Sequence, residues 1–209
     1  DYFHSNIDPI VSESFNLTLK YLDTLDNIEI IYDTETIPEM IPMGWSSASY
    51  YDFPRDFKQF IDVYQINRTY DEILDDALVG FANAVRDSFP LSTKNYHTFL
   101  NARTKTVNWF TNFLTENEYD AFVFPSSKRL PPKVGQSGAE TNNQGQLAFT
   151  GFPVITVPGF KMINTPFDIG FEIASLYNHD KIIFQIAKLL ENIRNTGGYQ
   201  QFSYKISEI

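Results

Sequence analysis

The 209-residue chain contains no cysteine, so disulfides, thiol nucleophiles and thiolate-held metals are excluded within it. Positive charge is also scarce. Sixteen Lys and Arg stand against 26 Asp and Glu, a net charge of -10, and no basic stripe exists that could neutralise phosphates. Nucleic acid and anionic membrane surfaces are therefore not expected as partners. No run of about 18 apolar residues is present to span a bilayer, and no basic leader with an apolar segment opens the chain. Histidine occurs three times, as His4, His97 and His179, and never at metal-ligand spacing. Each reads as a surface or helix-flanking residue, and neither a metal nor a cofactor is expected.

What is abundant is aromatic. Nineteen Phe and 12 Tyr help bring the aromatic share to 16%, a large apolar payload beside a mean hydropathy of -0.26. A chain of this length can bury about 70% of its unfolded surface. The sequence reads as one α/β domain or part-domain over residues 1–209, without internal repeats or low-complexity tracts.

Asp8-Pro9 forms an N-cap and N1 pair, after which Ile10, Val11, Phe15, Leu19 and Leu22 recur at helical spacing. A helix over 9–26 and a short strand over 28–32 follow from this pattern. Further helices are predicted over 53–65, 70–88 and 94–116, the second striped by Ile73, Leu74, Ala77, Leu78, Phe81, Ala84 and Val85, with Asp71 near its cap. The third carries Phe99, Leu100, Val107, Phe110, Phe113 and Leu114. A buried strand is predicted over 119–124, a long loop over 125–146 and a final helix over 178–195 that ends at Thr196-Gly197-Gly198. Asn16-Leu17-Thr18 and Asn67-Arg68-Thr69 match the glycosylation sequon, both in predicted helical regions.

Two apolar runs, 154–157 and 167–174, are fenced by Pro153, Pro158, Gly159 and Pro166. The segment between them is long enough for a hairpin and too short for a helical crossover, so antiparallel pairing is predicted. Gly151, Pro153, Val157-Pro158-Gly159, Pro166 and Gly170 stand in an order that resembles the C-terminal part of the amidase signature family. Upstream, YDAFVFPSS over 119–127 is similar to that family's strand ending in Pro-Ser or Pro-Thr. The resemblance implies an α/β fold with a mixed β-sheet covered by helices. It also implies hydrolysis of carboxamide C–N bonds by a serine nucleophile, a bridging serine and a lysine.

The family's Gly-Gly-Ser-Ser-Gly-Gly loop is missing, and no lysine lies in the family's context. With an opening at Asp1, this leads to the expectation of a C-terminal half of a larger amidase, inactive alone and with no catalytic residue of its own. The serine-bearing pieces Gly44-Trp45-Ser46-Ser47-Ala48-Ser49 and Gly135-Gln136-Ser137-Gly138 lack the paired glycines a nucleophile turn needs, and read as loops or caps. Substrate-pocket roles are expected for Pro125 and Ser126, at the mouth of a strand, and for Gly151 and Phe152, in the turn before the next. Asn142, Asn143 and Gln144 offer amides in the long loop. The expected partners are the missing N-terminal half and a small amide substrate, with self-association of the isolated chain. Phe152-Pro153, and Glu172 where many members carry glutamine, resemble the peptide-amidase-like subgroup. The other reading of a chain without a triad is a non-catalytic binding or surface-interaction module.

Overall fold

The computed structural model describes residues 3, 6–32, 45–77, 93–136, 143, 145–161 and 168–195. The chain divides into two compact units, one formed by Asp1–Pro38 with Asn108–Ile209 and the other by Glu39–Val107. The elements in order are α1 (Pro9–Leu22), α2 (Trp45–Val63), α3 (Tyr70–Asp76), α4 (Thr93–Glu116), β1 (Phe122–Pro125), α5 (Gly145–Thr150), β2 (Val154–Lys161), β3 (Asp168–Ala174) and α6 (Asp180–Asn195).

The first unit is built on a three-stranded sheet of order β1-β3-β2 in which both described pairings are antiparallel. Phe122 and Val154 both face Ala174, and Pro125 and Val157 both face Phe171, so the two outer strands run the same way on either side of β3. Ser126 N donates to Gly170 O at 2.9 Å and Ser175 N to Pro153 O at 3.3 Å. Because backbone groups in an antiparallel ladder alternate sides, even-numbered residues of β3 bond to β1 and odd-numbered ones to β2. It follows that Pro125 and Pro158 both turn their backbone nitrogen toward an outer edge, where no ladder hydrogen bond is lost.

Side chains alternate across the same sheet. The odd face, with Val157, Phe171 and Ile173, packs on Phe15, Leu19 and Leu22 of α1 and on Ile183, Ala187 and Leu190 of α6. The helices take this place because their apolar residues recur every three or four positions. Asp8 caps α1 through its carboxylate, which accepts from Ile10 N at 2.9 Å, and Pro9 follows at the first helical position. On the even face, Phe122 and Phe124 of β1 meet a ring cluster in which Phe3 lies 4.5 Å from Phe124 and Phe110 lies 4.9 Å from Phe122.

The second unit rests on its own contacts. Along α2, Phe53, Phe57, Phe60 and Tyr64 stack in sequence at 5.1, 5.9 and 4.6 Å. Helix α3 opens on a capping box: Glu72 N donates to Thr69 Oγ1, and Thr69 N donates to Glu72 Oε2 at 2.7 Å. Those donors hold the Glu72 carboxyl below its ordinary range. Tyr96 donates its hydroxyl to Asp52 at 3.0 Å, and burial together with that carboxylate raises its pKa.

Several expectations shift. The first helix stops at Leu22, and residues 28–32 are irregular rather than a strand. The apolar alternation there is still used, because Ile28 and Ile30 pack against the core while Ile31 and Tyr32 are exposed. Helix α2 begins eight residues before the predicted start and carries Pro54 internally, at the loss of a hydrogen bond within the helix. Residues 78–88 and the cap at 196–198 lie outside the described residues. Strand β1 is displaced toward Pro125, and β2 runs on through Pro158 and Gly159, which the edge position of both strands permits. The hairpin of β2 and β3 is antiparallel as predicted. The expected mixed sheet is represented among the described residues by antiparallel pairs alone.

Candidate functional site

At the end of β1 the chain turns from Pro125 into Ser126, and three elements converge. Asn143, with no exposed surface, donates its side-chain amide to Pro125 O at 2.7 Å and to Phe3 O at 3.0 Å, while its backbone N–H reaches Ser126 O at 3.3 Å. These bonds fix its donors on main-chain carbonyls. Among the described residues its buried Oδ1 has no hydrogen-bond partner. The loop amide offered to a substrate in the sequence reading is thus, for Asn143, a tie between the end of a strand and the N-terminal residues. Asn142 and Gln144 lie outside the described residues, as do Ser137 and Gly138.

Ser126 is half-buried over Gly170. A Cβ built at Gly170 would stand 2.9 Å from Ser126 Cβ and 3.2 Å from Thr156 Cγ2, so glycine is what lets Ser126 settle on the even face of the sheet. The Ser126 hydroxyl meets no hydrogen-bond partner among the described residues. Beside it in the next row stand Phe124, Glu172 and Thr156. Glu172 is wholly buried and its Oε1 accepts from Thr156 Oγ1 at 2.8 Å. Two residues past Ser126, partial burial lowers the pKa of Lys128, whose backbone carbonyl accepts from Asp8 N at 2.8 Å.

Gly151 and Phe152 sit elsewhere. They precede β2, whose Val154 faces Ala174, whereas Ser126 faces Gly170; four residues of strand place the two ends about 14 Å apart. Gly151 has φ of +79° and its N–H closes on Leu147 O, the left-handed residue that ends α5. Phe152 is buried, 4.9 Å from the Tyr177 ring and 6.1 Å from Phe110, and Tyr177 donates its hydroxyl to Thr150 O. The four expected pocket residues therefore fall into two pairs at opposite ends of one sheet. Glu172, Thr156 and Gly170 were not singled out as a cluster in the sequence, although the period-two alternation of β2 and β3 places 156, 170 and 172 on one face.

Among the described residues no group of three His, Asp or Glu is placed to hold a metal, and no helix is long and apolar enough to cross a membrane.

No family model matches the chain. Indoleacetamide hydrolase of Rhizobium radiobacter is 22% identical over 216 residues, covering 91% of this chain and 44% of that enzyme. A crystal structure of an amidase superposes with TM-score 0.71 at 15% identity, covering 92% of this chain and 44% of that one. 6-Aminohexanoate cyclic dimer hydrolase superposes with TM-score 0.60 at 15% identity, covering 89% and 42%. The chain spans less than half the length of the curated relatives it matches. In sequence it is similar to indoleacetamide hydrolases and in fold to amidases, over less than half of their length.

Proposed function

We propose that this chain is the C-terminal portion of an enzyme that hydrolyses a linear carboxamide to a carboxylic acid and ammonia. The nucleophilic serine, the bridging serine and the lysine base reside on the complementary segment, and this portion supplies scaffold and pocket wall. The observation that carries the reading is the agreement of two independent comparisons over nine-tenths of the chain: superposition on an amidase, and sequence kinship with indoleacetamide hydrolases.

Within the reading, Pro125 and Ser126 form pocket wall at one end of the sheet, where Ser126 keeps a hydroxyl free to meet an amide. Gly151 and Phe152 shape the wall at the other end. The substrate class to test first is a small arylacetamide, with short peptide amides beside it. Ammonia release would be followed for the chain alone and for the chain co-expressed with the part of the Rhizobium radiobacter enzyme that precedes the matched region. The chain alone should show no turnover, the pair should hydrolyse indoleacetamide, and Ser126→Ala should raise KM at least tenfold. Turnover by the chain alone, or a formed pair inert toward every carboxamide tried, would overturn the reading.

A further inference from the structure

Ser126, Thr156 and Glu172 share the even face of the sheet around Gly170, and the glycine fixes how they meet. A Cβ built at Gly170 would run first into Ser126 Oγ and also into Thr156 Cγ2 at 3.2 Å, so the serine hydroxyl and the threonine methyl crowd one place above the strand. Thr156 stands opposite Glu172 in the register of β2 and β3, and its hydroxyl is turned to that residue, donating to Glu172 Oε1 at 2.8 Å. A β-branched side chain has few choices of χ1. With the hydroxyl committed to Glu172, the group that Thr156 presents at Gly170 is its methyl, which neither donates nor accepts. Glu172 has no exposed surface, whereas Thr156 is exposed and Ser126 half-buried. The carboxyl is thus fixed by packing beside two side chains that a ligand can reach.

We infer that Glu172 is a positioning residue for the pocket: by holding the Thr156 hydroxyl it keeps the Ser126 hydroxyl from being engaged by its neighbour, and so available to a substrate carboxamide. The inference rests on the proposed function for what Ser126 meets. Without an acceptor at position 172, Thr156 is free to turn about χ1 and bring its own hydroxyl to the place its methyl holds, beside Ser126 Oγ. Two hydroxyls set together pair with each other, and a substrate would have to break that bond before using Ser126. Glu172 acts only through Thr156 and does not touch the substrate. A carboxamide at 172 would serve as well as a carboxyl, since either offers Thr156 an acceptor oxygen.

The chain alone tests the first half of the inference. Methyl-to-backbone scalar couplings of Thr156, which report χ1, should give the same rotamer in the native chain and in Glu172→Gln. Glu172→Met, which keeps the length of the side chain and loses the acceptor, should give a different or averaged one. The second half is read as KM for indoleacetamide in the chain paired with the preceding segment of the Rhizobium radiobacter enzyme. Glu172→Gln should leave KM unchanged, and Glu172→Met should raise it about fivefold with kcat held, the size expected when one hydrogen bond competes with binding. Adding Thr156→Val to Glu172→Met keeps the methyl and removes the competing hydroxyl, so KM should return to the native value; a merely structural role would not be rescued in this way. Should Glu172→Met not fold, Thr156→Val by itself decides: KM should hold, and a rise of about fivefold would put the Thr156 hydroxyl on the substrate and overturn the inference. An unmoved Thr156 rotamer or an unmoved KM in Glu172→Met, or a raised KM that Thr156→Val does not return, overturns the inference and leaves the proposed function standing. A pair inert toward every carboxamide overturns the proposed function and the substrate's part in the inference, while the rotamers of the chain alone still decide whether Glu172 positions Thr156.

Discussion

The two faces of the same three strands are built to different specifications. The odd face is an aliphatic core with a stacked pair, Phe15 and Phe171, at 5.1 Å, closed on the outside by α1 and α6. The even face is aromatic over β1, polar in the middle at Glu172 and Thr156, and exposed over β2. A sheet face that ends in an exposed valine and threonine beside a buried carboxylate is not a core in the sense that the first one is. The odd positions hold the unit together by burial, which stabilises by about 1.5–3 kcal/mol per large side chain. The even positions combine burial with hydrogen bonds that fix particular groups in place.

The largest effect expected is on Phe171 and Phe124, one from each face and both without exposed surface. Truncation to alanine should cost about 3–5 kcal/mol at either site, measured by urea unfolding. Leucine should separate the faces. Phe171→Leu forfeits a single ring pair, with Phe15, while staying within the aliphatic cluster of Leu19 and Ile183, and should cost about 1–2 kcal/mol. Phe124→Leu forfeits ring pairs with Phe3 and Phe122, each worth about 0.5–1.5 kcal/mol, and should cost at least about 1 kcal/mol more. Equal costs would erase the distinction between the faces.

Next in size is Asn143→Ala, which strands the carbonyls of Phe3 and Pro125. A loss of about 1–3 kcal/mol is expected, with faster proteolysis near Phe3. An unchanged N-terminal cleavage rate would remove Asn143 from its role as a tie. Smaller again is Glu172→Gln, which keeps the shape and the acceptor for Thr156 while replacing a carboxyl, costly to ionise in a site without solvent, by an amide that carries no charge. The midpoint should rise by about 2–4 °C, equivalent to about 1 kcal/mol. A fall would mean that the carboxylate satisfies donors an amide cannot.

The smallest expected effect lies outside both faces, in the capping box. Glu72 titrates below the ordinary glutamate range because Thr69 donates to its carboxylate, first from the backbone and then from the hydroxyl. Its contribution is therefore present above the unfolded pKa and lost as pH falls through the lowered folded value. Thr69→Val should move the NMR midpoint of Glu72 part of the way up, the backbone bond remaining. Exchange rates in β2 and β3 should not change.

Local signals were legible where one feature decided the outcome. Asp8-Pro9 announces a helix start and the structure uses it so; the proline-fenced runs announce β2 and β3, and they pair as the connection length requires. Proline misleads where context decides: Pro54 is carried inside α2, and Pro158 lies within a strand whose outward edge excuses it. The strand expected at 28–32 fails because alternation reports which side chains are buried, and not whether a neighbouring strand is available. The pocket residues follow the same rule. Pro125-Ser126 and Gly151-Phe152 each occupy the kind of turn foreseen, yet pairing register, which no local pattern encodes, puts the pairs at opposite ends. The buried role of Asn143 depends on a contact 140 residues away and leaves no trace in its neighbours.

That contact carries a consequence for the order in which the molecule assembles. The Asn143 amide joins Phe3 across 140 of the chain's 209 residues. Closing so large a loop is entropically expensive until the intervening segments have already contracted the distance, and contacts of high sequence separation slow the search for the native state. The hairpin of β2 and β3 is local and can form early; the docking of Phe3 among Phe110, Phe122 and Phe124 belongs to the end. Phe3 thus behaves as a late plug, and the folding chain holds an unfilled aromatic socket from the moment β1 is in place until Phe3 docks in it.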